Sequence, residues 1–111
     1  GIDVLIQTDE RKVAILGDMF ELGADERKMH YEVGEYATKK GIDCIICAGE
    51  LAKEYYDGAK AAGKKENLYY FPSRDEAIEN LKDIVKVNDA ILVKASHGMK
   101  FEKIVEVLKQ M

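Results

Sequence analysis

The sequence contains neither G-x-G-x-x-G nor G-x-x-x-x-G-K-[ST]. The first absence leaves a dinucleotide-binding fingerprint unsupported, and the second removes the usual loop that cradles ATP phosphates. Its apolar runs fall far short of the ~20 residues of a membrane helix, and no stretch has the pattern of a secretory or transit signal. A cytoplasmic protein is the expectation. Basic residues are not in excess: 17 Lys and Arg stand against 21 Asp and Glu, a formal charge of −4. Nothing here draws nucleic acid or an anionic membrane from a distance. Cysteine is nearly absent too. Cys44 and Cys47 form a C-x-x-C pair in a segment that reads as a strand, and residues three apart on a strand face opposite ways. Two such sulfurs do not converge on one metal, no second Cys/His pair completes a zinc site, and small buried apolar residues in a reducing compartment are the simpler reading. No nucleophile–base–acid set suggests itself, so no catalytic group and no metal site are expected within these residues.

One domain suits 111 residues of which 47% are apolar. The chain is organised around Lys12-Val13-Ala14-Ile15-Leu16-Gly17-Asp18-Met19-Phe20-Glu21-Leu22-Gly23, a β-forming run that enters a glycine-bounded loop with two carboxylates. A helix-period pattern follows, which makes the first half of a βαβ unit. Residues 1–8 have Ile2, Leu5 and Ile6 at helical spacing with neither Met nor an N-cap ahead of them. They read as the last turns of a helix that begins before residue 1.

The remaining elements follow from periodicity and punctuation. A helix is expected from about Asp25 to Lys40, capped by Asp25, with Met29, Val33, Tyr36 and Ala37 inward and Gly41 as its stop. A strand over Asp43–Ala48 precedes a helix from Glu50 to Ala62, with Leu51, Ala52, Tyr55, Ala59 and Ala62 inward. Gly58 within it costs about 1 kcal/mol relative to Ala. The third strand, Leu68–Phe71, is closed by Pro72, the only proline. Ser73-Arg74-Asp75-Glu76 is a capping box for a helix to about Val87. The fourth strand is Asp89–Lys94, and a last helix runs from about Met99 to Gln110. The strands recur at roughly the length of a βα unit, and their unbroken apolar runs fit a parallel sheet covered on both faces. The fold class is therefore α/β: a Rossmann-like three-layer α/β/α sandwich with a parallel sheet of at least four strands in the order 3-2-1-4.

That order makes strands 1 and 4 neighbours at the switch point, so the loop Gly17–Gly23 faces the loop Ala95–Met99. The first brings Asp18 and Glu21; the second brings Lys94, Ser96, His97 and Lys100 at the start of a helix whose free amides favour an anion. A small zwitterion fits such a crevice, its ammonium near the carboxylates and its carboxylate near Ser96, His97 and the amides. The competing reading makes Asp18 and Glu21 caps of the following helix and leaves Lys94 and Lys100 solvated. His30, one turn into that helix, is either an ordinary packing residue or a group that folds back and shapes the loop. A receiver-like signalling module is the alternative from another class. It needs an acceptor aspartate after the third strand, where this chain has Phe71-Pro72.

Val13 to Gly23, followed by His30 and Val33-Gly34, resembles the LGDM-x-ELG … H-x-x-VG signature of a Mur ligase. Ile91-Leu92-Val93-Lys94-Ala95-Ser96-His97-Gly98-Met99-Lys100-Phe101-Glu102 is similar to the second signature, LVKGSR-x-M-x-x-E. Ala95 stands where the family usually has glycine. His97 stands where arginine is common, which makes the charge there pH-dependent. The resemblance covers essentially the whole chain and matches only the third, C-terminal domain. The first motif points to the branch that adds D-alanyl-D-alanine to UDP-N-acetylmuramoyl-tripeptide in peptidoglycan synthesis. The equivalent domain of another Mur or folylpolyglutamate-type ligase is the near alternative.

In the family, an Asn-rich segment and a helix start precede this domain, in keeping with the cut helix at residues 1–8. The resemblance thus implies an excised domain 1–111, without the central ATPase domain and the N-terminal UDP-binding domain. It implies ATP and Mg2+ in the complete bacterial enzyme and none held by these residues alone. It further implies a lid that binds the incoming dipeptide, closes the ATP site against the central domain, and is inactive and monomeric in isolation. On this sequence the lid residues are Asp18, Glu21, Lys94, Ser96, His97 and Lys100, with Gly17, Met19, Gly23 and His30 shaping the loop.

Overall fold

A computed structural model describes residues 2–20 and 23–110. Glu21, one of the expected site residues, lies outside the described residues, as does its neighbour Leu22. The elements are α1 (Ile2–Leu5), β1 (Lys12–Gly17), α2 (Glu26–Lys39), β2 (Cys44–Ala48), α3 (Ala52–Ala61), β3 (Leu68–Phe71), α4 (Arg74–Ile84), β4 (Ala90–Lys94), a 3-10 turn (His97–Met99) and α5 (Glu102–Lys109). The four strands are parallel and ordered β3-β2-β1-β4, as the pattern of the sequence predicts. Along β1, Leu16 pairs with Cys47 on one side and Lys94 on the other.

Alternation along the strands divides the core in two. Ala14, Leu16, Ile45 and Cys47 pack with Ile2, Leu5, Ala37, Tyr55 and Ala59, so α1, α2 and α3 cover one face of the sheet. Val13, Ile15, Cys44, Ile46 and Ala48 pack with Ala77, Leu81, Ile84, Phe101 and Ile104, which puts α4 and α5 on the other. The two cysteines therefore lie in opposite layers, both free and buried, and burial raises both thiols above their ordinary range. The radius of gyration is 12.8 Å, against about 13 Å for a self-contained domain of this length.

Three helices differ from the periodicity reading. In α2 the buried residues are His30, Gly34 and Ala37, whereas Met29 and Tyr36 are 43% and 39% exposed. Close approach to α3 turns the helix this way. A Cβ on Gly34 would lie 2.0 Å from the Tyr55 carbonyl oxygen, and one on Gly58 2.0 Å from that of Tyr31. Gly58, which lowers the intrinsic stability of its helix, is what lets the two backbones touch. Asp25 is at the N-cap of α2 without a side-chain capping bond. The second difference is the last helix, which begins at Glu102 rather than Met99, because Lys100 takes a left-handed conformation (φ 53°) after the 3-10 turn. At the other end of α4, Ser73 Oγ accepts the Glu76 amide at 3.2 Å as the capping box predicts. The Asp89 carboxylate stops the helix short of Val87 by taking the Lys86 amide at 2.7 Å.

Candidate functional site

The carboxyl ends of the strands carry the loops that matter in an open parallel sheet. Here the residue after β1, Asp18, is 5% exposed. Its Oδ1 accepts the Ala52 amide at 2.7 Å and its Oδ2 the Glu50 amide at 3.1 Å. Leu51, at the N-cap of α3, has no capping side chain, so Asp18 supplies the cap from another strand and meets the positive end of that helix. Gly49 makes room: its φ is 129°, and a Cβ there would lie 2.5 Å from Asp18 Oδ1. Burial raises the Asp18 carboxyl above its usual value, while the amides of Ala52 and Glu50, and His30 when it is protonated, pull it down. Asp18 is thus a cap, as the competing reading held, but of α3 rather than of the helix that follows it in sequence.

The loops after β1 and β4 are bonded to each other. The Ser96 amide donates to the Asp18 carbonyl at 2.9 Å, and Ser96 Oγ accepts the Phe20 amide at 2.5 Å. That bond uses an acceptor lone pair of the hydroxyl and leaves its proton available to a ligand. Phe20 lies over Gly98, with ring carbons 3.6 and 3.8 Å from a Cβ placed there. Gly17 sits under Phe101 and Ala95, where a Cβ would come within 2.3 Å of the Phe101 ring, and its carbonyl takes the Tyr55 hydroxyl at 2.9 Å. Burial pushes that phenol well above its ordinary range. Gly23 has φ 89° and leads to α2.

His30 is 1% exposed and folds back onto the loop. Its Nε2 faces the Met19 amide at 3.0 Å and its Nδ1 the Glu26 carbonyl at 2.5 Å. A backbone amide only donates and a carbonyl only accepts, so Nε2 is the bare nitrogen and Nδ1 carries the proton. The ring packs on Tyr55 at 4.8 Å between centroids.

The expected lysines separate. Lys94 is exposed and lines a groove on the α1–α2 side with Ile2, Asp3, Met29, Glu32, Val33 and Tyr36, because strand alternation aims it into the layer of its register partner Leu16. Lys100 and His97 are exposed around the 3-10 turn. Their neighbours Gly98 and Met99 line a separate cleft of about 310 Å³ together with Asp18, Gly49, Glu50, Ser73 and Arg74, among others. Arg74 is the residue the motifs did not single out. Its Nη1 donates to the Met99 carbonyl at 3.2 Å and the Lys100 carbonyl at 3.5 Å, while Nε and Nη2 hold Asp75. A signal for it existed, since the residue after the β3 loop of a 3-2-1-4 sheet lies at the same edge as Asp18. The capping box gave Arg74 only a helical role. Among the described residues no set of three acidic, histidine or cysteine side chains is grouped to hold a metal ion, and no helix is long and apolar enough to cross a membrane.

Known proteins share this chain's sequence pattern and fold. The UDP-N-acetylmuramoyl-tripeptide–D-alanyl-D-alanine ligase of Bacillus subtilis is 34% identical over 98 residues, covering 88% of this chain and 21% of that protein. The ligase of the same name from Escherichia coli is 32% identical over 112 residues, covering 99% and 24%. The chain therefore spans about a quarter or less of the length of these curated relatives. Among solved structures, MurF from Acinetobacter baumannii superposes with a TM-score of 0.84 at 24% identity, covering 99% of this chain and 24% of that one. The MurF ligase of Thermotoga maritima, solved with ADP, superposes at 0.76 and 23% identity over 98% of this chain and 24% of its own. The pattern of the family described as Mur ligase, glutamate ligase domain, matches residues 2–97. The two paired loops and the 3-2-1-4 sheet that holds them thus have a family, and the chain belongs to the Mur ligases as their glutamate ligase domain.

Proposed function

We propose that this chain is the lid domain of an ATP-dependent ligase that joins D-alanyl-D-alanine to UDP-N-acetylmuramoyl-tripeptide in the bacterial cytoplasm. The observation that carries the proposal is the 30–34% identity to ligases of that name over at least 87% of the chain. Residues 1–111 would be one domain of a longer enzyme. Its central domain would supply the phosphate loop that this sequence lacks, and the isolated domain would be a monomer without turnover.

The chain's own residues would bind and orient. Ser96 keeps a hydroxyl proton for an acceptor such as a substrate carboxylate, and the exposed His97 and Lys100 beside it would add cationic or polar reach. Asp18 acts from behind by fixing where Ser96 stands, and Lys94 addresses a different groove. Holding the attacking amine near an activated carboxyl contributes through proximity and electrostatics, and closure of such a lid keeps water out. In the ligase ATP supplies the activation of the carboxyl group. Magnesium would be held by other parts of the ligase, since among the described residues no three acidic, histidine or cysteine side chains are grouped to take a metal ion.

The test uses the complete ligase with ATP, magnesium and UDP-linked tripeptide. Phosphate release that depends on D-alanyl-D-alanine supports the reading. Release that prefers a single amino acid moves the domain to a sister ligase. Ser96→Ala should raise KM for the dipeptide roughly tenfold, the worth of about one hydrogen bond, with the melting temperature little changed. An unchanged KM removes Ser96 from the ligand-facing set.

A further inference from the structure

Of the buried polar groups, His30 is the one that the proposed function leaves without a task. We propose that His30 is a positioning residue for the amino-component site. Its neutral imidazole latches the β1 loop to α2 and holds Ser96 in place, and protonation opens the latch. The inference rests on the lid reading above for the identity of the ligand, but not for the latch itself.

The chain of contacts is short. His30 Nε2 accepts the Met19 amide. The next amide along, that of Phe20, donates to Ser96 Oγ, and the residue before, Asp18, takes the Ser96 amide on its carbonyl. Three consecutive residues of one loop are thus held by a histidine on α2 and a serine after β4. Nδ1 is fixed by the Glu26 carbonyl within the same helix, so the ring cannot turn over without breaking that bond as well. Between Met19 and α2 a single acceptor atom carries the tie.

A proton on Nε2 would convert that acceptor into a donor facing another donor. The Met19 amide would then lose its partner in a part-buried setting, where leaving it unpaired carries a cost. The charged groups that face the ring do not cancel this. The Asp18 carboxylate on the β1 loop attracts an imidazolium and so favours the proton, but held by the α3 amides it gives the Met19 amide no replacement acceptor. Tyr55 on α3 presents its ring face and gives its hydroxyl to Gly17. On α2 itself the partner is the Glu26 carbonyl, a backbone acceptor.

The first test needs no variant. In the 111-residue chain, ring ¹⁵N shifts should show the Nδ1–H tautomer at neutral pH. On acidification the Nε2 signal, the Met19 amide shift and the Met19 exchange rate should move together with one midpoint. A ring in the Nε2–H tautomer, or a Met19 amide that ignores the titration, overturns the latch.

Two substitutions then separate positioning from packing. In His30→Gln the side chain reaches the Nε2 position with an oxygen that accepts. In His30→Asn it reaches only the Nδ1 position and donates to Glu26. In the complete ligase His30→Asn should raise KM for the amino component roughly tenfold with kcat within about twofold, and His30→Gln should recover most of that loss. Equal defects in both variants, or kcat falling with KM unchanged, sink the positioning role. Should the ligase prefer a single amino acid over the dipeptide, KM is read with that amino acid. The lid reading is then corrected while the latch stands or falls on its own data.

Discussion

Asp18 shows how much one side chain does at this edge of the sheet. It caps α3 through its carboxylate, joins the β4 loop through its carbonyl, and requires a glycine at position 49 because of where its oxygens lie. Its burial has a measurable consequence. The folded-state carboxyl titrates above the ordinary 3.8, so as pH falls the folded protein takes up this proton before the unfolded chain does. The associated stability is fully present below the unfolded value and is lost as pH rises through the raised folded value. Carboxyl ¹³C shifts should place Asp18 above the exposed aspartates, and Asp18→Asn should reduce that acid-side gain in denaturation curves taken from about pH 3 to 6. A titration at or below the exposed aspartates would mean that the amide bonds outweigh burial.

At the scale of elements, the contact between α2 and α3 holds the His30 side of the loop in place. Gly34 and Gly58 permit backbone-to-backbone approach at the two points where the helices cross, and Tyr55, on the same stretch of α3, reaches both His30 and Gly17. By helix propensity alone Gly34→Ala should stabilise α2 by about 1 kcal/mol. The 2.0 Å approach to the Tyr55 carbonyl reverses the sign. We expect a net loss of about 2–3 kcal/mol in chemical denaturation, together with faster exchange of the Met19 amide as α2 and its His30 move away. A stabilised Gly34→Ala protein would show that the helices separate at little cost. Arg74 plays a comparable part on the opposite face, where its bonds to the Met99 and Lys100 carbonyls tie the N-terminus of α4 to the left-handed turn before α5.

For the molecule as a whole, two core layers lie on either side of one sheet within a radius of gyration of 12.8 Å, and we expect them to unfold as one unit. Calorimetry of the 111-residue chain should show one transition, with an unfolding enthalpy of about 80 kcal/mol near 60 °C and a van't Hoff value equal to it. Two separated transitions would mean that the α1–α2–α3 layer and the α4–α5 layer unfold independently. The functional edge belongs to both layers at once. Asp18 and His30 are anchored on the α2–α3 side, Arg74 ties α4 to the turn before α5, and Ser96 bridges them, bonded to the β1 loop and to the Met99 amide. Unfolding of either layer would therefore take the cleft apart.

Strand positions, sheet order and the juxtaposition of the two loops were legible in the sequence. Unbroken apolar runs, glycine stops and right-handed crossovers act locally or follow from chain connectivity. The same reasoning placed Cys44 and Cys47 on opposite faces and His30 near the loop. The face α2 buries was legible only in part: Ala37 and Val33 pack inward as expected, but Met29 and Tyr36, though more apolar than His30 and Gly34, stay exposed. The choice was made by a backbone contact with Tyr55, a residue 21 positions after Gly34. The partner of Asp18 was hidden for the same reason: a carboxylate capping a helix two elements away leaves no trace in the spacing of its own neighbours. Lys94 left the cleft by strand alternation, and Arg74 entered it through carbonyls 25 and 26 residues further along the chain. Periodicity and punctuation are properties of short windows and survive without tertiary contacts. The partner of a buried polar group depends on which distant backbone ends up within about 3 Å of it, and that distance exists only once the layers have packed.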